Sequence, residues 1–142
     1  GTREIGDLII NKSQIEEVVK KYKPEALIIR TSPNTNDKLT KQYSNSNPPY
    51  VCDEAMTFMI NQGVKHFLID LPSVDKEKDE GRLLAHNAFW NTSGKLRLDA
   101  TITEFIFVPN SVKDGPYFLN LMVAPFENDA TPSKPVLFEL IK

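Results

Sequence analysis

The chain has 142 residues, a formal net charge of −2, 40% apolar and 25% charged residues, and a single cysteine, Cys52. A chain of this length buries roughly 70% of the surface its unfolded form exposes, so it can build a core without disulfides. Its acids and bases are interleaved and no apolar run approaches the ~20 residues of a bilayer span, which argues against nucleic-acid and membrane partners.

The lone cysteine and the absence of a signal-peptide layout lead us to expect a cytoplasmic protein. The chain opens with Gly1 and Thr2 rather than Met, so a piece of a longer protein is also expected.

In chain order, Ser13 followed three residues later by Glu16 predicts a capping box, with Ile15, Val18, Val19 and Tyr22 at helical spacing and Pro24 as the stop. Residues 26–30, ALIIR, read as a short apolar strand. The Asn-, Ser- and Pro-rich stretch 31–50 reads as a loop. Asp53 is the expected N-cap of a helix carrying Ala55, Met56, Met59 and Ile60 and ending at Gly63, after which VKHFLIDL is a second strand. Strand, helix and strand imply a parallel pair joined by a right-handed crossover.

Beyond Pro72, SVDKEKDEGR reads as a solvated charged loop, and LLAHNAFW as a short helix carrying His86. ATITEFIFV and PYFLNLMVA are two β-rich runs, expected to pair as an antiparallel hairpin across Asp114-Gly115, and VLFELI is a closing strand. The fold class expected is α/β: a mixed sheet with helices, in one domain spanning residues 1–142.

Glu104 is the odd residue of its strand. Alternation places it with Ala100, Ile102, Ile106 and Val108, where an ionised carboxylate must be protonated, paired or bound to a metal. The bland alternative is a solvent-facing carboxylate paired with a lysine. His86 is either a metal ligand or general base, or a core histidine satisfied by a carbonyl. His66 reads as structural, since about 13 Å of strand separates it from Asp70 on the same face. Cys52, beside a helix start with no neighbouring base, reads as unreactive packing. RTSPNTN is a poor phosphate loop, because Pro33 removes a donor and no glycine opens the turn. Paired His or Cys zinc motifs, a nucleophile elbow, a Walker loop and a dinucleotide fingerprint are all missing from the sequence.

Taken together, EALIIRT, the Gly-Val-x-x-x-x-x-Asp-x-x-Ser-x-Asp stretch at Gly63 to Asp75, AHNAFW, ATITEFIFVP and the Asp-Ala-x-Pro-x-x-Pro closure at Asp129 to Pro135 resemble the cyclase family of metal-dependent hydrolases. That family includes bacterial kynurenine formamidase (arylformamidase). The resemblance implies a swivelling β/β/α fold, a zinc or manganese cofactor, and hydrolysis of an amide, formamide or lactam bond in a small molecule. It makes His86 and Glu104 the metal ligands contributed by the C-terminal half. The family's His-x-Gly-Thr-His-x-Asp motif of the N-terminal half has no counterpart here. This chain alone is therefore expected to be inactive, with no or partial metal occupancy and no catalytic residue of its own. The alternative is a non-catalytic packing or dimerisation module. An uncovered apolar face where the other half packs leads us to expect a homo-oligomer.

Overall fold

The structure, a computed structural model, describes residues 3–141. Two compact units divide the chain, one ending at Pro109 and the other beginning at Asn110. The first runs β1 (Ile9–Ile10), α1 (Lys12–Tyr22), β2 (Ala26–Ile29), a 3-10 turn (Asn36–Leu39), β3 (Tyr50–Val51), α2 (Asp53–Asn61), β4 (His66–Ile69), α3 (Leu84–Trp90) and β5 (Thr101–Thr103). The second is a ribbon of β6 (Tyr117–Val123) and β7 (Ser133–Glu139). The class is mixed α/β, as the sequence implies.

At the centre of the first unit lies the three-stranded sheet β2-β4-β5, parallel throughout. Ala26 to Ile29 pair with His66 to Ile69, and His66 to Leu68 pair with Thr101 to Thr103. The parallel β2–β4 pair is the one expected from the strand-helix-strand pattern. The core joins Phe67 and Ile69 of β4 to Ile15 and Val19 of α1, Ala55, Met56 and Met59 of α2, and Ala85 and Phe89 of α3. A second, two-stranded parallel sheet pairs Ile9 with Tyr50 and Ile10 with Val51, so the long polar stretch ends in a strand rather than remaining loop throughout.

Three local readings shift. The capping box of α1 is built by Asn11 and Gln14, not Ser13 and Glu16. Ser13 instead donates to Asn11 Oδ1, and Glu16 takes Lys20 one turn on at 2.6 Å. The N-cap of α2 is Cys52, which leaves Asp53 in the first turn, where a carboxylate faces the positive end of the helix dipole.

The third shift concerns pairing. The expected hairpin between residues 100–108 and 116–124 does not form: β5 pairs with β4, and β6 pairs antiparallel with β7, from Tyr117 opposite Glu139 to Val123 opposite Ser133. A turn signal between two strand-like runs cannot say which of them already has a partner. In the ribbon Phe118 stands directly across from Phe138, with ring centroids 6.4 Å apart.

Candidate metal site at the carboxyl end of the parallel sheet

Ligand sites of parallel sheets form outside the carboxyl ends of the strands. Among the described residues the buried charged ones, Asp70, Asp75, Lys76 and Asp79, all lie on the segment that leaves the carboxyl end of β4. At the end of β4, Asp70 accepts the Thr31 N–H and hydroxyl, each at 2.9 Å, and the Lys38 ammonium at 2.7 Å. The Thr31 donors of the RTSPNTN loop are thus used on the chain's own carboxylate, and Arg30 and Asn34 donate to the Val108 carbonyl.

The segment that follows is only in part the solvated loop its composition suggests: Glu77, Lys78, Glu80 and Arg82 are exposed, but three of its charges are not. Asp75, Lys76 and Asp79 are only 6%, 7% and 8% exposed. Lys76 reaches Asp7 at 3.0 Å, and Glu77 accepts the backbone N–H groups of Asn45 and Asn47. Asp79 accepts the N–H groups of Gly81 and Leu83. Burial of Asp75, Lys76 and Asp79 is tolerable because each finds a donor or counter-charge. The backbone is tied as well, with Val74 C=O accepting the Val51 N–H of β3 at 2.8 Å.

Asp75 lies at the start of α3. Its Oδ1 accepts the Ala85 N–H at 2.6 Å, and its Oδ2 meets Nδ1 of His86 at 2.5 Å. The other face of the His86 environment is Trp90, one turn along α3, with ring centroids 5.2 Å apart. Nε2 of His86 then faces Glu104 Oε1 at 3.4 Å.

Glu104 is not in mid-strand. It sits just past β5, where the ladder with β4 slips. Thr101 donates to Lys65 C=O, but Ile106 donates to Ile69 C=O, one residue later than that register requires. The extra residue is a bulge, a device that re-aims a side chain at the end of a ladder. Phe105 within it has φ +57°, an uncommon conformation for an aromatic residue, and its N–H turns to Leu71 C=O. Glu104 Oε1 also accepts the Val74 N–H at 2.9 Å, which fixes it beside the Asp75 segment. Neither face of residues 100–108 is wholly buried, so the apolar wall expected around Glu104 is replaced by a half-buried polar pocket.

Burial raises the Glu104 carboxyl above its ordinary range, against the lowering effect of the Val74 N–H and His86. Burial by itself would depress His86, but the Asp75 hydrogen bond and the Glu104 charge outweigh it and raise the imidazole. Burial likewise opposes ionisation of Asp75, yet its bonds to His86 and Ala85 hold it below the usual range. In all three groups burial opposes ionisation, and at Asp75 and His86 their mutual hydrogen bond, together with the neighbouring hydrogen bonds and charges, outweighs it.

In donor type and spacing His86 and Glu104 match two ligands of a divalent cation. Two ligands on a tetrahedral zinc at about 2.0–2.2 Å lie roughly 3.3 Å apart, and Nε2 and Oε1 are separated by 3.4 Å. In number the donors fall short: among the described residues no group of three or more His, Cys, Asp or Glu could hold a metal.

The other sequence candidates are elsewhere. His66 bonds the Thr101 hydroxyl through Nδ1 at 2.8 Å, a cross-strand contact. Cys52 is half-buried against the core. A cleft of about 590 Å³ lined by Asn61, Asn87, Thr92 and Arg97 includes neither His86 nor Glu104. What residue-by-residue reading missed is Asp75, and the signal was its place at the end of the Asp-x-x-Ser-x-Asp stretch.

Comparisons with known proteins agree with the fold. No curated protein matches the sequence. A solved structure described as a potential metal-dependent hydrolase with cyclase activity superposes with a TM-score of 0.62 at 12% identity, over 96% of this chain and 65% of its own. A predicted metal-dependent hydrolase from Bacillus stearothermophilus superposes with a TM-score of 0.59 at 13% identity, over 92% of this chain and 62% of its own. The chain therefore spans less than two thirds of either protein. No helix among the described residues is long and apolar enough to cross a membrane. The family described as "Putative cyclase" matches residues 2–76, more than half of the sequence, and the chain belongs to that cyclase family.

Proposed function

We propose that this chain forms part of the active site of a metal-dependent hydrolase acting on an amide, formamide or lactam C–N bond, as in arylformamidases, with His86 and Glu104 as two ligands of a zinc or manganese ion. The observation that carries the reading is the 3.4 Å approach of His86 Nε2 to Glu104 Oε1. A nitrogen lone pair and a carboxylate oxygen repel at that distance unless a proton or a metal cation lies between them. The metal-dependent hydrolases of the same fold support the choice of a metal.

A bound ion of this kind supplies Lewis acidity, polarising a carbonyl and acidifying water. His86 offers a neutral nitrogen from α3. Glu104 offers an anionic oxygen that balances part of the cation's charge, and its bond to Val74 keeps that oxygen in place. No residue of this chain is assigned as nucleophile or proton carrier. The remaining ligands and the proton-transfer groups would come from outside this chain, so the chain by itself should turn over no substrate.

A second reading, a non-catalytic packing or dimerisation module, is favoured by the shortfall in ligands among the described residues. Exposed Phe118, Phe126 and Phe138 suit a homo-oligomer under either reading.

Zinc titration by calorimetry of the chain, its His86→Ala and its Glu104→Gln variants separates the two. The hydrolase reading expects weak zinc binding by the parent and none by either variant, and metal-dependent formamidase activity in a protein that carries the missing ligands. Zinc binding unchanged in both variants would sink it.

A further inference from the structure

His86 is engaged at both ring nitrogens, so the tautomer of its neutral form decides what Nε2 can bind. Nδ1 lies 2.5 Å from Asp75 Oδ2, and Nε2 lies 3.4 Å from Glu104 Oε1. An ionised carboxylate only accepts hydrogen bonds, so the hydrogen at the Asp75 contact belongs to Nδ1. The lone pair of the neutral ring is then on Nε2, 3.4 Å from Glu104 Oε1, a spacing that takes a proton or a cation between the two atoms.

Asp75 has little freedom to move. Its N–H donates to Ser73 Oγ at 3.1 Å, its Oδ1 holds the Ala85 N–H, and the residue is 6% exposed. Lys76, bonded to it through the next peptide, is buried against Asp7. Asp7 in turn accepts from Asn47 and Tyr50. Four segments of the first unit thus converge on the backbone around one carboxylate.

We propose that Asp75 is a positioning residue: it holds His86 in the Nδ1–H form with the ring aimed so that an unprotonated Nε2 is presented beside Glu104 to a divalent cation. The proposal rests on the metal reading above only for what Nε2 binds. The tautomer and ring orientation belong to the chain with no metal present. Partners of this kind orient metal-binding imidazoles and raise their basicity. The alternative is that Asp75 merely ties down the first turn of α3 through Ala85, which predicts no control of the tautomer.

The test is long-range proton–nitrogen NMR on the nitrogen-15-labelled, metal-free chain in mildly alkaline buffer. There are only two histidines, and His66, bonded to Thr101, serves as the internal reference. The expected result is an Nδ1–H pattern for His86 in the parent. Asp75→Asn should move it toward the Nε2–H form, with the His66 pattern and the helical circular dichroism unchanged. Zinc binding should weaken about 10–100-fold in the same variant. A parent ring protonated on Nε2, or a tautomer unmoved by Asp75→Asn, overturns the proposal even if zinc binds. A tautomer that responds while the parent binds no zinc leaves Asp75 as the positioning residue and discards the metal reading instead. If Asp75→Asn does not fold, the parent's own tautomer still tests the proposal: Nδ1–H supports it and Nε2–H overturns it.

Discussion

The ammonium of Lys76 lies 3.0 Å from a carboxylate oxygen of Asp7, and the two side chains are only 6% and 1% exposed. This pair ties the N-terminal segment to the residue next to Asp75. Hydrogen bonds from Asn47, the Glu4 N–H and Lys76 hold the Asp7 carboxyl well below the usual carboxylate range. The hydrogen bond to Asp7, with a further one to Glu4, raises Lys76.

The pair sets a pH window for stability. A depressed carboxylate stabilises the fold above its unfolded pKa of about 3.9, and that contribution fades as the pH falls below it. The raised ammonium contributes fully below about pH 10.4 and loses its contribution above. Asp7→Asn should lower the denaturation midpoint at neutral pH and flatten its acid limb. The double variant Asp7→Leu/Lys76→Met should be less destabilised than Asp7→Leu alone, because no buried charge is left without a partner. Equal midpoints for the parent and Asp7→Asn across the pH range would contradict this account.

His86 gives a second pH dependence, of opposite sign to Asp7. Its pKa in the folded chain is raised, since the Asp75 bond and the Glu104 charge outweigh the depressing effect of burial. The stabilisation is complete below the unfolded value of about 6.5 and is lost as the pH rises through the folded value. Glu104→Gln removes one of the raising charges and should shift the His86 titration, followed by proton NMR of the metal-free chain, to lower pH. A titration that stays in place would show that the two side chains do not interact.

Asp70 has a side chain fully removed from solvent and holds Thr31 and the 10%-exposed side chain of Lys38. Replacing it with Ala strands the Lys38 charge among groups that cannot neutralise it. The expected loss is about 3–5 kcal/mol in a denaturant titration, the range for breaking one side of a buried pair. A loss below about 1 kcal/mol would place the pair in the surface class instead.

Phe89 connects the core to the site. It is 0% exposed, lies 6.4 Å from the Phe67 ring, and stands three residues after His86 on α3. Phe89→Ala should cost about 3–5 kcal/mol through the cavity it leaves. It should also broaden the His86 NMR signals, because α3 loses its anchor. A stable variant with sharp, unshifted His86 signals would separate the helix's packing from the site.

Element types were legible in the sequence because their causes are local. The apolar spacing of α1 and α2, the apolar runs of β2 and β4, and the stops at Pro24 and Gly63 act within a few residues of one another. The α/β class follows from them, and the ordered motifs pointed to the cyclase family that the comparisons show. His86 and Glu104 stood out singly as a histidine and a carboxylate in apolar runs. Their joint role came from the family resemblance and not from spacing.

What only the tertiary structure decided depends on segments far apart in the chain. β5 could have joined β6 across a good turn, but β4 offered it a parallel partner supported by the core. SVDKEKDEGR has the composition of a solvated loop, yet Asp7 partners Lys76, the Gly81 and Leu83 N–H groups partner Asp79, and Ala85 and His86 partner Asp75, which lets these three charges leave water. The bulge that takes Glu104 out of its strand arises from a register slip against β4. Periodicity reports which face of an element is apolar. The partner of a buried charge is set by which distant backbone and side-chain groups the fold brings within hydrogen-bonding distance, and in this chain that choice placed Glu104 opposite His86.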